Sequence, residues 1–509
     1  MRVTSRVLVG SALIALAMTA TGGTRLASAP PDKFIELVPL GQYQTGIFEK
    51  VAAEIVAYDP ATRRVFSVNV ALSQIDIIDV SDPLKPFLTA IIDVSPYGAQ
   101  ANSVAVKDGV VAVAVEATVK QNPGKAVFFT AFGSPLSEVT VGALPDMITF
   151  SPNGDLVLVA NEGEPNGAYT IDPEGSVSII DIRGGVASLS QSDVTTAGFG
   201  GFSRASLDPS IRIFGPGASV AQDLEPEYIA VSHNSHTAWV TLQENNALAI
   251  IDLKAKRVVD LVGLGFKNHL LSRNKLDASD SDGGPNITTW PVWGMFLPDG
   301  IATFESQGKS YVVTANEGDA REYAGFNAAG NESRRVGIIG SASNPPIPLD
   351  PTAFPNAGTL QTATALGRLN ISTAMGDTDN DGDFDRLFAF GARSFSIWSE
   401  TGALVFDSGD DLEQRTLALL PNGFNANNTG NARDSRSDDK GPEPEGVAVA
   451  KLYGRTFIFI ALERVGGVIV YEVGDPTAPT FVQYINTRDF SRAASATTDS
   501  GPESIVVRG

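Results

Sequence analysis

The sequence predicts an all-β fold, a β-propeller of seven complete four-stranded blades with room for a partial eighth, filling residues 30–509 as one domain. Three observations predict it. First, one pattern recurs along the chain: acid-Pro-acid, a short apolar strand, a turn, a second strand ending in Glu, and a third ending in Asp. The clearest copy runs from Asp223-Leu-Glu-Pro-Glu-Tyr228 to Asp252. Second, the copies hold four short strands each at a shortest period of roughly 45 residues, the spacing of propeller blades. Third, 50 Gly and 30 Pro are spread between short apolar runs, which favours strands and turns over long helices. A chain of 509 residues would ordinarily split into several domains, but each repeat only extends one body.

Arg2 and Arg6, the apolar residues 7–20 and the small residues Ala27-Ser-Ala29 have the layout of a secretory signal, residues 1–29, and predict a secreted protein, periplasmic or extracellular. Pro30 leaves the cleavage position open. Residues 34–40 read as a lone strand. The first unit then takes strands 54–58, 64–68, 74–79 and 87–93, the second 102–106, 110–116 and 126–129, and the third 145–150, 156–162 and 176–181. The fourth is the clearest copy, and the fifth takes 298–304 and 311–317. Strands 368–371, 386–390, 395–398 and 404–407 form a more divergent sixth, and 444–449, 457–460, 468–471 and 481–485 the seventh. A last strand, 505–507, is expected to pair near residues 34–40 and close the ring, because an unpaired edge invites aggregation.

The formal net charge is −21. So acidic a surface repels phosphodiester backbones and anionic lipid, which excludes nucleic acid and bilayers as partners. No second apolar stretch is long enough to span a membrane once the signal is removed. Cysteine is absent, and imidazole comes only from His233, His236 and His269. Disulfides, thiolate sites and His-rich zinc or iron centres are therefore not expected. A metal here should be a hard, oxygen-loving one, which points to Ca²⁺.

In antiparallel blades the start of the first strand and the end of the second lie at the same end of the barrel. Acids mark both places: Glu54, Asp146, Glu227, Asp299, Glu445 and Glu503 at the starts, and Glu116, Glu162, Glu244, Glu317 and Glu463 at the ends. The long insertions, 163–175, 190–222, 263–297, 318–333 and 408–442, leave from that same rim, whereas turns at the other end are short. Insertions gathered on one face of a repeat protein build its binding surface. Single carboxylates of this kind often do no more than accept hydrogen bonds from turn N–H groups. Crowded together they repel, and either nearby arginines (Arg321, Arg464, and Arg393 where other units have Glu) or a bound Ca²⁺ must answer that repulsion.

Asp377, Asp379, Asp381 and Asp385, with Gly382 for the sharp turn, offer the oxygen spacing of a calcium loop between strands. The bidentate Glu of an EF-hand is missing, since Phe388 stands there. In this assignment of blades the loop falls on the face opposite the acidic rim, with a structural role. His233 and His236 fall in a surface turn of that opposite face, and the acid-rich residues 277–282 are a weak signal.

Leu144-Pro-Asp-Met147, Ala160-Asn-Glu-Gly-Glu-Pro165, Asp172-Pro-Glu-Gly-Ser-Val177, Leu242-Gln-Glu-Asn-Asn-Ala247, Ala315-Asn-Glu-Gly-Asp-Ala-Arg-Glu-Tyr323, Gly391-Ala-Arg-Ser-Phe-Ser-Ile-Trp398 and Asp439-Lys-Gly-Pro-Glu-Pro-Glu-Gly446 give the chain a further reading. With these strings it resembles the choice-of-anchor I family over residues 36–507. The resemblance implies a secreted bacterial propeller at or outside the cell surface, related to mesenchyme-specific cell surface glycoprotein and tethered by varied C-terminal anchors. Some family members carry an alkaline phosphatase label. At Gly509 the chain departs from the family pattern, which continues with further strands. The expected function is binding of an extracellular ligand through a calcium-assisted rim of Glu162, Glu164, Glu227, Glu244, Asp299, Glu445 and Glu463. The alternative is a Ca²⁺-dependent phosphoesterase acting on a phosphorylated small molecule. In it Glu162, Glu227, Glu244, Glu317 and Glu445 would hold the metal and Arg321 and Arg393 would stabilise the developing charge.

Overall fold

The computed structural model describes residues 5–9, 13–18, 35–48, 50–326, 332–337, 346–495 and 501–508. Seven four-stranded antiparallel sheets stand around a central channel. Their innermost strands are Val56–Asp59, Ala101–Lys107, Pro145–Phe150, Pro226–Val231, Ile301–Ser306, Pro444–Leu452 and Ile505–Arg508. Each packs beside the next, and the last returns to the first. The ring is closed by side chains as well: Ser504 Oγ donates to the Glu54 carbonyl at 2.8 Å and accepts from the Val56 amide at 3.1 Å.

Middle strands are covered on both faces by neighbouring blades, so they read as unbroken apolar runs rather than alternating ones. Leu156–Asn161 is buried at every position, whereas the outer strand Phe87–Asp93 is mostly exposed. The core therefore lies between blades. Leu158, Val177 and Ile179 of the third meet Val240, Ala249 and Ile251 of the fourth in one cluster.

The count of seven agrees with the sequence reading, but two of the blades are composed differently. The fifth is Ile301–Ser306, Lys309–Asn316, Ser394–Ser399 and Leu404–Asp407, so the predicted fifth and sixth units are one sheet. Residues 368–371 and 386–390 are not blade strands. Asn370–Ser372 and Phe388–Ala389 lie in a separate five-stranded sheet with Phe266–Asn268, Trp293–Met295 and Ser333–Arg335. That sheet has its own core, including Leu276, Val292, Val336, Leu369 and Leu387. Short apolar runs carry no periodicity that separates a blade strand from a strand of such a side sheet.

The seventh sheet runs Leu37–Tyr43, Leu13–Met18, Ser5–Val9, Ile505–Arg508. The expected closing strand thus shares a sheet with the residues near 34–40, and Phe34 itself lies outside the described residues. Two stretches inside the predicted signal stand between the two strands.

One consequence concerns the Asp377 loop. It belongs to an excursion that leaves the fifth blade after Asn316 and returns at Ser394, both at the end of the barrel where second strands finish. The expectation that it lies on the opposite face is corrected by that topology.

Candidate functional site

Three of the acids at the strand starts, Asp146, Glu227 and Glu445, sit at β-bulges. Pro145 pairs with Asn161 and Met147 with Ala160, which leaves Asp146 as the extra residue. Register shifts likewise follow Pro226, Pro444 and Ala101, at Glu227, Glu445 and Asn102. A bulge turns its extra side chain out of the sheet plane, and a proline is tolerated there because the innermost strand is an edge. Leu144 and Glu443, before Pro145 and Pro444, and Leu297, before Pro298, hold left-handed φ values of 47°, 49° and 43°. Such backbone is costly for residues with a Cβ and concentrates at functional sites.

The result is a cavity of about 180 Å³ at one mouth of the channel, lined by Glu54, Asp146, Glu227, Asp299, Glu317 and Glu445 together with Asn102, Gln243, Ile55 and Tyr228. Below it an apolar sleeve of about 240 Å³, with Val104, Ile148, Ile301 and Val447 on its wall, continues down the channel. The opposite mouth is larger, about 390 Å³, yet it carries His233, Lys451 and a single carboxylate, Glu305. Chemistry rather than size marks the acidic end as the candidate site.

Electrostatics inside the acidic mouth are severe. Burial and the neighbouring Asp146 push Glu54 up to about 7. Burial and Glu164 push Asp146 up to about 7. Glu162 and Glu227 are held well above the usual carboxylate range, first by burial and then by the charges of Asp146 and Glu162 respectively. Asp299 and Glu445 are raised in the same way, with Glu317 and Glu463 the largest charges acting on them. One carboxylate oxygen each of Glu244 and Glu445 is buried without a hydrogen-bond partner. Unpaired buried carboxylates this close together call for protons or a cation.

Two sets of three carboxylates, each with oxygens within 4.8 Å of one another, stand on this rim: Asp146, Glu162 and Glu227, and Glu317, Glu443 and Glu463. The second set is tied to cations of the fold, although burial still pushes Glu463 up to about 8. Lys440 Nζ lies 2.6 Å from Glu317, 3.2 Å from Glu443 and 3.3 Å from Asp319. Arg436 and Arg464 reach Glu443 at 2.6 and 3.3 Å, and Arg464 reaches Glu463 at 2.8 Å. Burial alone would raise Glu443, but these three cations outweigh it and hold the group at about 2. Glu164 turns outward to Lys120, 2.5 Å away.

The arginines named from the sequence are committed inside the fold. Arg321 is buried against Asp223 at 2.5 Å and Glu225 at 2.9 Å, with its guanidinium over the Phe214 ring. Arg393 precedes the third strand of its blade rather than ending a second one. It donates to Glu413 at 2.7 Å and to the carbonyls of Asp277, Ser437 and Asp439. Asp277 is part of that buried network, and Asp280 pairs with Arg368. His233 and His236 are exposed in the turn expected for them.

In the Asp377 loop the structure brings together oxygens of Asp377, Asp379 and Asp385. Asp381 is not in that group, and its carboxylate accepts the Asp383 amide at 3.1 Å instead. A second group, Asp350, Asp383 and Asp385, shares Asp385. Both groups offer only oxygen donors, which suits a hard cation.

Asn102, Gln243, Lys440 and Glu443 were not singled out from the sequence. Asn102 occupies the place of Asp146 in its own blade and could have been found by aligning repeats. Lys440 sits in a long insertion whose path no local pattern reveals.

A family profile, the choice-of-anchor I domain, matches residues 54–476. Mesenchyme-specific cell surface glycoprotein of Strongylocentrotus purpuratus is 30% identical over 280 residues, 50% of this chain and 35% of that protein. Gigasin-3a of Magallana gigas is 37% identical over 118 residues, 22% of this chain and 41% of that protein. The matches thus span well under half the length of these curated relatives. A solved periplasmic gluconolactonase of Pseudomonas aeruginosa aligns over 100% of this chain and 99% of its own, at 10% identity and a TM-score of 0.47.

Proposed function

The chain belongs to the choice-of-anchor I family, and from that premise we propose that it is an exported surface or extracellular module that binds a ligand through its acidic mouth with the help of Ca²⁺. Six carboxylates line one cavity with no cationic side chain among the lining residues, and that concentration carries the proposal. Such a site attracts hard cations and, through them, ligands that offer oxygen donors. Similarity to a cell surface glycoprotein supports a place outside the cell. Among the described residues no helix is long and apolar enough to cross a membrane.

The binding reading is favoured over a phosphoesterase because the two arginines that would meet a phosphoryl group are buried in ion pairs of the fold. Calcium titration tests it in a variant carrying Asp379→Ala and Asp385→Ala, which silences both groups of the loop. We expect calcium to raise the melting temperature of that variant, and an unchanged melting temperature would sink the proposal. A chromogenic phosphomonoester should survive incubation with the wild type, with or without calcium. Turnover that disappears in Glu317→Gln would replace binding with hydrolysis.

A further inference from the structure

Resting on that reading, we propose that the mouth contains two cation positions of one chemistry. The chain's own Lys440 fills the first, and the second, formed by Asp146, Glu162 and Glu227, takes a single hard divalent cation such as Ca²⁺.

The two positions share their geometry. In each, three carboxylates present oxygens within 4.8 Å of one another. Calcium holds oxygens at about 2.3–2.6 Å, so two of its ligands lie no more than about 5 Å apart. At the first position an ammonium does the work of the ion. It has three donors, and Glu317, Glu443 and Asp319 take them at 2.6, 3.2 and 3.3 Å. Arg436 and Arg464 add two more charges on Glu443, and the Lys440 ammonium itself occupies the place a metal would take.

At the second position none of the ion pairs among the described residues involves Asp146, Glu162 or Glu227. Lys120, whose charge reaches Asp146 and Glu162, bonds Glu164 at 2.5 Å, and Arg321 is held by Asp223 and Glu225. An independent observation points to a missing partner. Glu244 is only 8% exposed, its charge bears on both Glu162 and Glu227, and one of its oxygens is buried with no donor in reach. Three clustered carboxylates, with the unpartnered Glu244 carboxylate in electrostatic reach of two of them, offer only oxygen donors, without the imidazole or thiolate that would select zinc.

Counting calcium ions by isothermal titration calorimetry tests the division, again with Asp379→Ala and Asp385→Ala as background. The background protein should bind one ion. Adding Lys440→Met should raise the count to two, Lys440→Arg should leave it at one, and adding Glu162→Gln with Glu227→Gln should abolish it. A background that binds none defeats the calcium-assisted mouth itself. A background that binds one ion and keeps it in the Glu162→Gln, Glu227→Gln variant overturns the two-position assignment while the mouth reading stands. So does a folded Lys440→Met variant that still binds one. If Lys440→Met folds only with calcium present, that supports the assignment; if it folds in neither buffer, the paired glutamine variant decides alone.

Discussion

On one side of the mouth Glu317, Glu443 and Glu463 surround an ammonium and two guanidiniums, and on the other Asp146, Glu162 and Glu227 face one another with no cation bonded to them. Both sets hold their oxygens within 4.8 Å, and the electrostatic outcome differs at Glu443, although burial still pushes Glu463 beside it up to about 8. Glu443 is held at about 2, while Glu162 and Glu227 are pushed well above the usual range. Burial opposes ionisation on both sides; three cations outweigh it at Glu443, whereas neighbouring carboxylates add to it at Glu162 and Glu227. A rim built only for stability would have neutralised both halves. One half is tied to cations of the fold, and the other is where the proposed divalent ion would bind.

The sharpest way to break this contrast is Glu443→Gln, which leaves Lys440, Arg436 and Arg464 without their common acceptor. Breaking a buried ion pair by removing one partner costs about 3–5 kcal/mol. The pH dependence has a definite sign. Because Glu443 is held below its ordinary 4.5, its stabilisation is fully present above that value and is lost as the pH falls toward about 2. Urea denaturation should therefore show the largest gap between wild type and variant at neutral pH, closing below about 4.5. A gap of under about 1 kcal/mol at neutral pH would mean that the two halves are electrostatically alike.

Glu162→Gln should act in the opposite direction. In chelator it removes one of several crowded like charges and should stabilise the protein by about 0.5–2 kcal/mol, the usual yield of a single stabilising charge change. With calcium the order should reverse, since an ion at 100 times its dissociation constant stabilises the wild type by about 2.7 kcal/mol. Melting curves in both buffers check the crossing. Parallel curves that never change order would place the cation elsewhere.

How much of this was legible before the structure follows from the kind of signal each part leaves. The repeated Pro-acid strings carried the propeller and named Asp146, Glu227, Asp299 and Glu445, three of which sit at a repeated bulge. Glu162, Glu244 and Glu317 followed from strand direction alone. What escaped has no local signature. Lys440 meets Glu317 across 123 residues of chain, a contact set by how an insertion folds back. Asp350 joins the Asp377 loop through a bridge between Leu349 and Phe384 that no spacing rule predicts. The side sheet was mistaken for a blade because its strands are two or three residues long, too short for a period to show. Arg321 and Arg393 looked free for chemistry because a sequence shows charge but not which carboxylates or carbonyls have already claimed it.

The smallest expected effect is also the finest probe of the contrast. Lys120 is an ammonium whose charge reaches Asp146 and Glu162 of the open half, and its side chain is 46% exposed, against 8% for Lys440. An exposed pair such as Lys120 with Glu164 contributes about 0–1 kcal/mol and is weakened by salt. Lys120→Ala should therefore shift the denaturation midpoint only slightly, and the shift should shrink further at high ionic strength. Calcium affinity should rise modestly in the variant, because removing a positive charge near the open carboxylates lowers the repulsion that an arriving cation meets. A loss of stability comparable to that of Glu443→Gln would show that Lys120 neutralises Asp146 and Glu162 as Lys440 neutralises Glu317, and the open half would then be closed in the same way as its counterpart.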